Sequence, residues 1–290
     1  MKKITCTGLA GIMLALLLGV LLSVKANADC TYTYESMQQD IVLLTAQYPN
    51  LLTSEVIGDT SQGRHMYMLT LGNKNASHNV FISASMHATE YQNTQLVMDI
   101  VKNELANWQD KDICYYIVPM VNPDGVNISQ NKLYEKWVGN GNCVDLNRNF
   151  PWGWVYTVPG GKESFHGMKA ASELETLAMM NVLSARKYDC TVSFHQQGQV
   201  IYYYSTGMSD ATFYKAKLLT NCVQAINGYK PVKCGPPNGG MGDYINTVLD
   251  TPNVTIETGT VTRGKSDYNK IYKQNINILR AVENYIAFGL

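Results

Sequence analysis

The sequence predicts an α/β fold: a single domain with a mixed, largely parallel twisted sheet and helices on both faces. Three observations carry that reading. Short, bounded, apolar runs at Val80 to Ala84, Ile113 to Met120, Thr191 to His195 and Asn253 to Glu257 read as buried strands. Segments with helical spacing stand between them, as crossover helices do. No repeat, linker or low-complexity tract divides the chain.

The 290-residue chain opens Met1-Lys2-Lys3 and runs apolar from Ile4 to Val24. Ala26 and Ala28 then form a small-x-small cleavage signature. Residues 1–28 read as a secretory signal peptide cut after Ala28, leaving 29–290 as one catalytic-sized domain. A retained anchor is the alternative, because the apolar run is long. Asp29 before Cys30 argues against a lipoprotein site. An exported location follows: secreted, periplasmic or cell-envelope.

The sequence holds 23 basic and 23 acidic residues. Losing Lys2, Lys3 and Lys25 with the leader leaves a small acidic excess. That gives no electrostatic footprint for nucleic acid or an anionic membrane, and no integral membrane partner is expected. Of seven cysteines, Cys6 leaves with the leader. An even remainder in an exported chain suggests disulfides. Cys222 and Cys234 flank one loop and are expected to pair. Cys30, Cys114, Cys143 and Cys190 allow three connectivities.

In chain order, Tyr34 to Tyr48 has helical spacing (Met37, Ile41, Leu44) and stops at Pro49. Glu55 to Gly58 and Arg64 to Leu71 read as a strand pair around a turn. The strand Val80 to Ala84 leads into His87-Ala88-Thr89-Glu90, and Tyr91 to Trp108 continues as a helix. After the strand Ile113 to Met120, Asn122-Pro123-Asp124-Gly125 carries strong turn chemistry, and the chain reads as irregular as far as Trp154. Ser172 to Arg186 is a helix opened by Ser172-Glu173-Leu174-Glu175, a capping box. Thr191 to His195 is the next strand, then Val200 to Tyr204 and a helix from Ser209 to Ile226. Gly235 to Gly242 is a glycine-rich loop, expected to be mobile. Asn253 to Glu257 is a strand and Ser266 to Phe288 a closing helix.

The candidate chemistry sits at strand ends, the edge where open α/β sheets bind ligands. His87 and Glu90 lie three apart in a strand-to-helix turn, and an imidazole and a carboxylate so close can share a metal. His195 occupies the same kind of place on a second strand, so parallel neighbouring strands bring the three together. Glu257 ends a run so apolar that an unpaired acid there is costly. As a general base on a water it makes sense. Arg148 among asparagines is a candidate carboxylate clamp. His65 and His78 read as structural.

These residues resemble the zinc metallocarboxypeptidases of the carboxypeptidase A type, in order across nearly all of 29–290. The matching pieces are His87-Ala88-Thr89-Glu90, Asn122-Pro123-Asp124-Gly125, Asp145-Leu146-Asn147-Arg148-Asn149, Phe165-His166-Gly167 leading to Ser172-Glu173, His195 and Glu257. Asp145 to Trp152 and Ser193 to Tyr202 further resemble the bacterial γ-D-glutamyl-L-diamino acid endopeptidases, which cut peptidoglycan stem peptides beside diaminopimelate. The resemblance implies one Zn2+ per chain held by His87, Glu90 and His195. It implies Glu257 as general base, Asn147 and Arg148 as holders of the substrate carboxylate, and His166 as structural. The substrate it implies is a peptide or muropeptide, and oligomeric state stays open.

Two departures stand out. The carbonyl-polarising arginine of the family aligns with Glu135, with Lys132 or Lys136 as stand-ins. The mobile tyrosine of the carboxypeptidase A branch is absent from Gly235 to Gly240. Gly242 falls at a specificity position, so polar contacts must come from elsewhere. A doubly charged diamino acid end needs an anion and a cation partner; Arg148 supplies one, and Asp243 or another acid the other. The alternatives are a secreted metallocarboxypeptidase trimming ordinary peptides, and an inactive binding module. The intact set His87, Glu90, His195 and Glu257 counts against the last.

Overall fold

A computed structural model describes residues 31–131, 136–160 and 164–289. The leader with its cleavage point, Cys6, Cys30, Lys132 and Glu135 lie outside the described residues. Tyr32 to Leu290 forms one compact unit.

The sheet has eight strands: β1 (Leu52–Asp59), β2 (His65–Gly72), β3 (His78–Ala84), β4 (Ile113–Val118), β5 (Cys190–Gln196), β6 (Val200–Tyr202), β7 (Lys230–Val232) and β8 (Asn253–Thr258). Their order is β1-β2-β4-β3-β5-β8-β6-β7. The centre, β4-β3-β5-β8, is parallel, and antiparallel pairs flank it at β1/β2, β2/β4 and β6/β8. This is the expected mixed, largely parallel sheet.

Strand side chains alternate between two cores. On β4, Ile113, Tyr115 and Ile117 enter one apolar cluster, while Cys114, Tyr116 and Val118 enter the other. The first core is covered by α1 (Tyr34–Gln47), α2 (Gln92–Ala106) and α5 (Asp210–Asn227), through residues such as Ile41, Leu96 and Leu219. The second is covered by α4 (Leu174–Ser184) and α6 (Met241–Thr247), through Met179, Tyr244 and Ile245. Helices on both faces explain why the central strands are buried along most of their length. Among the described residues no helix is long and apolar enough to cross a membrane.

Several local expectations change. Asn122 to Gly125 is the start of a helix, α3 (Pro123–Gln130), not a free turn. Asn122 caps it by accepting from the Gly125 N–H at 2.9 Å, and Pro123 sits where a missing N–H costs nothing. The capping box does not form: α4 begins after Glu173, which makes no side-chain cap. Ser172 Oγ instead donates to Glu173 Oε1, and Glu173 Oε2 accepts from Asn140 and Asn142. The closing helix is two helices, α7 (Tyr268–Asn275) and α8 (Ile278–Gly289). Buried Asn275 donates back to the Ile271 carbonyl at 2.9 Å, a side-chain bond that competes with the helical ladder where α7 ends.

The expected Cys222–Cys234 bridge is not formed; Cys114, Cys143, Cys190, Cys222 and Cys234 are free thiols. Strand parity gives the reason for the strand cysteines: Cys114 points into one core and Cys190 into the other, on opposite faces of the sheet. Cys222, on α5, packs against the first core, while Cys234 lines a cavity on the second face.

Candidate active site

β3 ends at Ala84, and the chain turns through Ser85, whose φ of 53° is in the left-handed region. Two buried hydroxyls brace the turn: Ser85 Oγ bonds Thr94 Oγ1 at 2.7 Å and donates to the Glu90 carbonyl at 3.2 Å. His87 then precedes a 3-10 turn, Ala88–Glu90. That turn carries Glu90 back over the strand end. Next to β3 lies β5, parallel, with Ala84 opposite Phe194. Next to β5 lies β8, also parallel, with His195 opposite Glu257. Three neighbouring strand ends thus present His87 with Glu90, His195 and Glu257 along one edge.

The ligand atoms of His87, Glu90 and His195 lie within 4.8 Å of one another. His87 Nδ1 is 2.7 Å from Glu90 Oε1, and His195 Nδ1 is 3.1 Å from Glu90 Oε2. The two imidazole Nδ1 atoms face each other at 3.3 Å. Glu90 Oε2 is buried and makes no hydrogen bond despite its nearness to His195. Two ring nitrogens and an orphaned carboxylate oxygen converging on one point are what a cation would satisfy. The donors, two imidazoles and one carboxylate, suit zinc and leave a fourth position for water. The residues present therefore fit the metal.

Sequence reasoning did not assign a role to Asp145. Its Oδ1 lies 3.3 Å from His87 Nε2 and accepts the Asn147 N–H at 3.0 Å. A carboxylate on the far nitrogen fixes the tautomer and aim of a ligating histidine. The available signal was an acid opening the Asp145-Leu146-Asn147-Arg148 stretch, but nothing in spacing linked it to His87.

The electrostatics are those of a buried, tightly paired cluster. Burial alone would lower the His87 pKa, but the Glu90 and Asp145 carboxylates outweigh it and raise it well above the usual histidine range. Burial would raise Glu90; His87 and His195 overcome it and hold the carboxyl at about 2. Asp145 is lowered against its burial, with His87 the main cause and Arg148 adding to it. Glu257 goes the other way. Burial pushes it up to about 7; His195 and His87 pull down while Glu90 adds to the rise. One carboxylate is thus held ionised and another is shifted toward neutrality.

Asn147 and Arg148 lie on a second 3-10 turn, Leu146–Arg148. Asn147 Oδ1 accepts the Met241 N–H at 2.9 Å and ties this turn to α6. Arg148 Nη1 donates to the Asn147 carbonyl at 2.7 Å. Both residues line one cavity of 430 Å³ together with His87, His195 and Glu257. The glycine-rich loop is tied down at its end: the Phe150 N–H donates to the Gly239 carbonyl, and Gly239 donates to the Trp152 carbonyl. A Cβ on Gly239 would meet the Arg148 carbonyl at 2.4 Å, and φ there is +80°, so only glycine allows this approach. Tyr202, Tyr203 and Tyr204, to which the sequence assigned no role at the site, line the cavity.

Lys136 is exposed and does not line the cavity. His166 is structural: its Nδ1 bonds the Val155 carbonyl at 2.9 Å, and its own carbonyl accepts from Asn149 and Trp154. His65 and His78 pair with Asp59 and Asp189, away from the site.

Comparison with known proteins gives concordant results. Residues 37–275 match the model of the family described as zinc carboxypeptidase. The chain is 26% identical over 295 residues to γ-D-glutamyl-L-diamino acid endopeptidase 1 of Lysinibacillus sphaericus, covering 88% of this chain and 73% of that protein. Across eight curated relatives it spans from 13% to 73% of their length. Among solved structures, carboxypeptidase A from Helicoverpa armigera superposes with a TM-score of 0.75 at 19% identity, over 97% of this chain and 81% of that one. A murein-tripeptide amidase from Escherichia coli O157 superposes with a TM-score of 0.54 at 19% identity, over 80% of this chain and 91% of that one.

Proposed function

The chain belongs to the zinc carboxypeptidase family and is a zinc metallopeptidase, and from that premise we propose that it hydrolyses a peptide bond in peptidoglycan stem peptides beside a diamino acid. The observation that carries the reading is the convergence of His87, His195, Glu257 and Arg148 on one cavity, with Glu90 grouped beside the two histidines. The relative from Lysinibacillus sphaericus, by its name, acts at a γ-D-glutamyl-L-diamino acid bond, and the Escherichia coli neighbour acts on a murein tripeptide. The leader read at residues 1–28 supports export to where such peptides occur.

His87, Glu90 and His195 would hold one zinc ion. An ion held there would supply Lewis acidity, lowering the pKa of a bound water and polarising the scissile carbonyl. Glu257 takes the proton from the attacking water and later delivers it to the leaving amine. Burial raises its pKa, which favours taking up that proton. Asp145 keeps the far nitrogen of His87 protonated. Arg148, with Asn147, holds the carboxylate of the leaving residue and sets register.

The test is a mass-spectrometric digest of residues 29–290 with L-Ala-γ-D-Glu-meso-diaminopimelate and with a blocked ordinary dipeptide, each with and without a zinc chelator. Release of diaminopimelate alone, abolished by the chelator, is the expected result. Cleavage of only the ordinary dipeptide would overturn the substrate and leave a metallocarboxypeptidase. Zinc bound at one per chain with neither substrate cut would overturn the activity and point to a binding module.

A further inference from the structure

A second cavity, of about 500 Å³, lies at the other end of the sheet. Its wall forms where β1 and β4 begin and β2 ends, the edge at which the parallel strands start. The chain enters β1 through Asn50 and Leu51, and the Leu51 carbonyl accepts the Gly72 N–H at 2.8 Å. Thr53 pairs with Thr70 across β1 and β2, so their side chains share one face. Trp108, two residues beyond α2, completes the wall. Gly72 makes room for it: φ there is +102°, and a Cβ would meet the indole at 3.0 Å.

The polar groups of this wall are unspent. Asn50, Thr53, Thr70 and Lys74 line it, and among the described residues their side chains make no hydrogen bond or ion pair. The charges cancel. Lys111 gives its ammonium to Glu104 at 2.5 Å and to Glu283, and it sits 5.2 Å from the centre of the Trp108 ring. That leaves Lys74 against Asp110, which accepts the Trp108 indole N–H at 3.3 Å. A wall without net charge has no field to select an ion. It offers an amide, two hydroxyls and an ammonium beside apolar surface from the indole and Leu51. A sugar needs that combination, with hydroxyls to bond around its edge and a C–H face to lay on a ring.

This cavity is no subsite of the catalytic one. β3 spans about 20 Å at about 3.3 Å per residue, and the two cavities lie toward opposite ends of the strands. A stem tripeptide, fully extended, reaches about 11 Å, and its γ-linkage adds only two bonds. A ligand here therefore belongs to a different part of the polymer from the peptide being cut.

We infer that the cavity beside Trp108 binds a neutral N-acetylhexosamine of a glycan strand and so retains the enzyme on a polymeric substrate. The inference rests on the peptidoglycan reading for its ligand and adds a place for the polysaccharide, remote from the cleaved bond. The N-acetyl group brings an amide that Asn50 can pair and a methyl that Leu51 can cover.

The experiment is calorimetric titration of the zinc-loaded protein with chitotetraose, with cellotetraose, which lacks the acetamido groups, and with inorganic phosphate. Chitotetraose is expected to bind, cellotetraose at least about tenfold more weakly and phosphate not at all. Trp108→Ala is expected to weaken chitotetraose about tenfold, as a lost ring contact does. Asn50→Ala is expected to weaken it about fivefold, as one lost hydrogen bond does. Asn50 is exposed, so its effect cannot come from a damaged core. On insoluble peptidoglycan both variants should raise KM and keep kcat, and on L-Ala-γ-D-Glu-meso-diaminopimelate both should match wild type. Chitotetraose that fails to bind, or that binds both variants like wild type, would overturn the site. Phosphate bound in its place would overturn the neutral ligand, and an unchanged KM on peptidoglycan would overturn retention. Sugar binding lost in both variants, with the tripeptide uncut by wild type, would uphold the site and overturn the stem-peptide cleavage. A tripeptide cut with no sugar bound would overturn the site and leave that cleavage standing.

Discussion

Glu257 and Glu175 are both carboxyls that burial pushes up to about 7, yet they sit in different surroundings. Glu257 ends a strand beside two imidazoles and faces a cavity. Glu175 is fully buried in the first turn of α4. Asn140 Nδ2 donates to its Oε2 at 3.2 Å and to Glu173 Oε2 at 2.9 Å, and its Oε1 has no partner. Glu173 and Asp124 add like charge. A perturbed carboxyl is therefore not a site in itself. Access, and groups whose charge changes with reaction, separate a proton carrier from a structural acid. Both glutamates can be made to show this.

The largest effect is expected at the open site. Glu257→Gln keeps size and removes the proton acceptor, so kcat should fall by about 10³ to 10⁴. Zinc content should stay at wild-type level, because the ligands are untouched. In the wild type the ionised carboxylate is the working form, so kcat/KM falls as pH drops through its pKa. This acid limb should vanish from the residual activity of the variant. Near-normal turnover in Glu257→Gln would end the general-base assignment.

Glu175→Gln should leave activity alone and change stability. In the folded chain Glu175 holds its proton up to about pH 7, whereas in the unfolded chain it releases it near 4.5. Between those values the folded state binds more protons, so its stability falls as pH rises through that window and levels above it. The loss is up to about 3 kcal/mol, from 1.36 kcal/mol per pKa unit. Glutamine has no proton to lose. Urea denaturation of both proteins at pH 5 and pH 8 should show the variant gaining relative to wild type at the higher pH. A difference independent of pH would show that Glu175 titrates normally.

How much of this was legible in the sequence follows the same division. His87, Glu90, His195 and Glu257 were visible because each stands where a short apolar run stops. A polar group in that place is conspicuous, and parallel strands bring such ends together. The two-sided core was legible for the same reason. Contacts between residues distant in the chain were not. Whether Cys114 and Cys190 share a face depends on strand parity that the sequence does not display, so the expected disulfides had no geometric filter. Asn122-Pro123 was ambiguous in kind: the residues that suit a turn also suit a helix N-terminus, and only the Gly125 N–H donating to Asn122 decides between them. Asp243 was nameable as a candidate acid, but that it lines the same cavity as His195 and Glu257 is a contact the sequence does not display.

Asp145 gives the smallest effect and the finest distinction, because it acts on the open site from behind. It touches His87 on the nitrogen away from Glu90, at 3.3 Å, and its charge joins that of Glu90 in raising the His87 pKa. Asp145→Asn retains an oxygen that can accept from both His87 and the Asn147 N–H, so the turn Leu146–Arg148 should persist. What it loses is the negative charge that makes His87 a stronger donor. Removing such a partner typically costs 10- to 100-fold in metal affinity. Competition with a chromogenic chelator should give a zinc Kd raised within that range, and kcat at saturating zinc should fall far less than in Glu257→Gln. A purely structural role would lower thermal stability and leave the zinc Kd where it was. A weakened Kd in a protein of normal stability would show that the site's electrostatics extend beyond the residues that meet the ion.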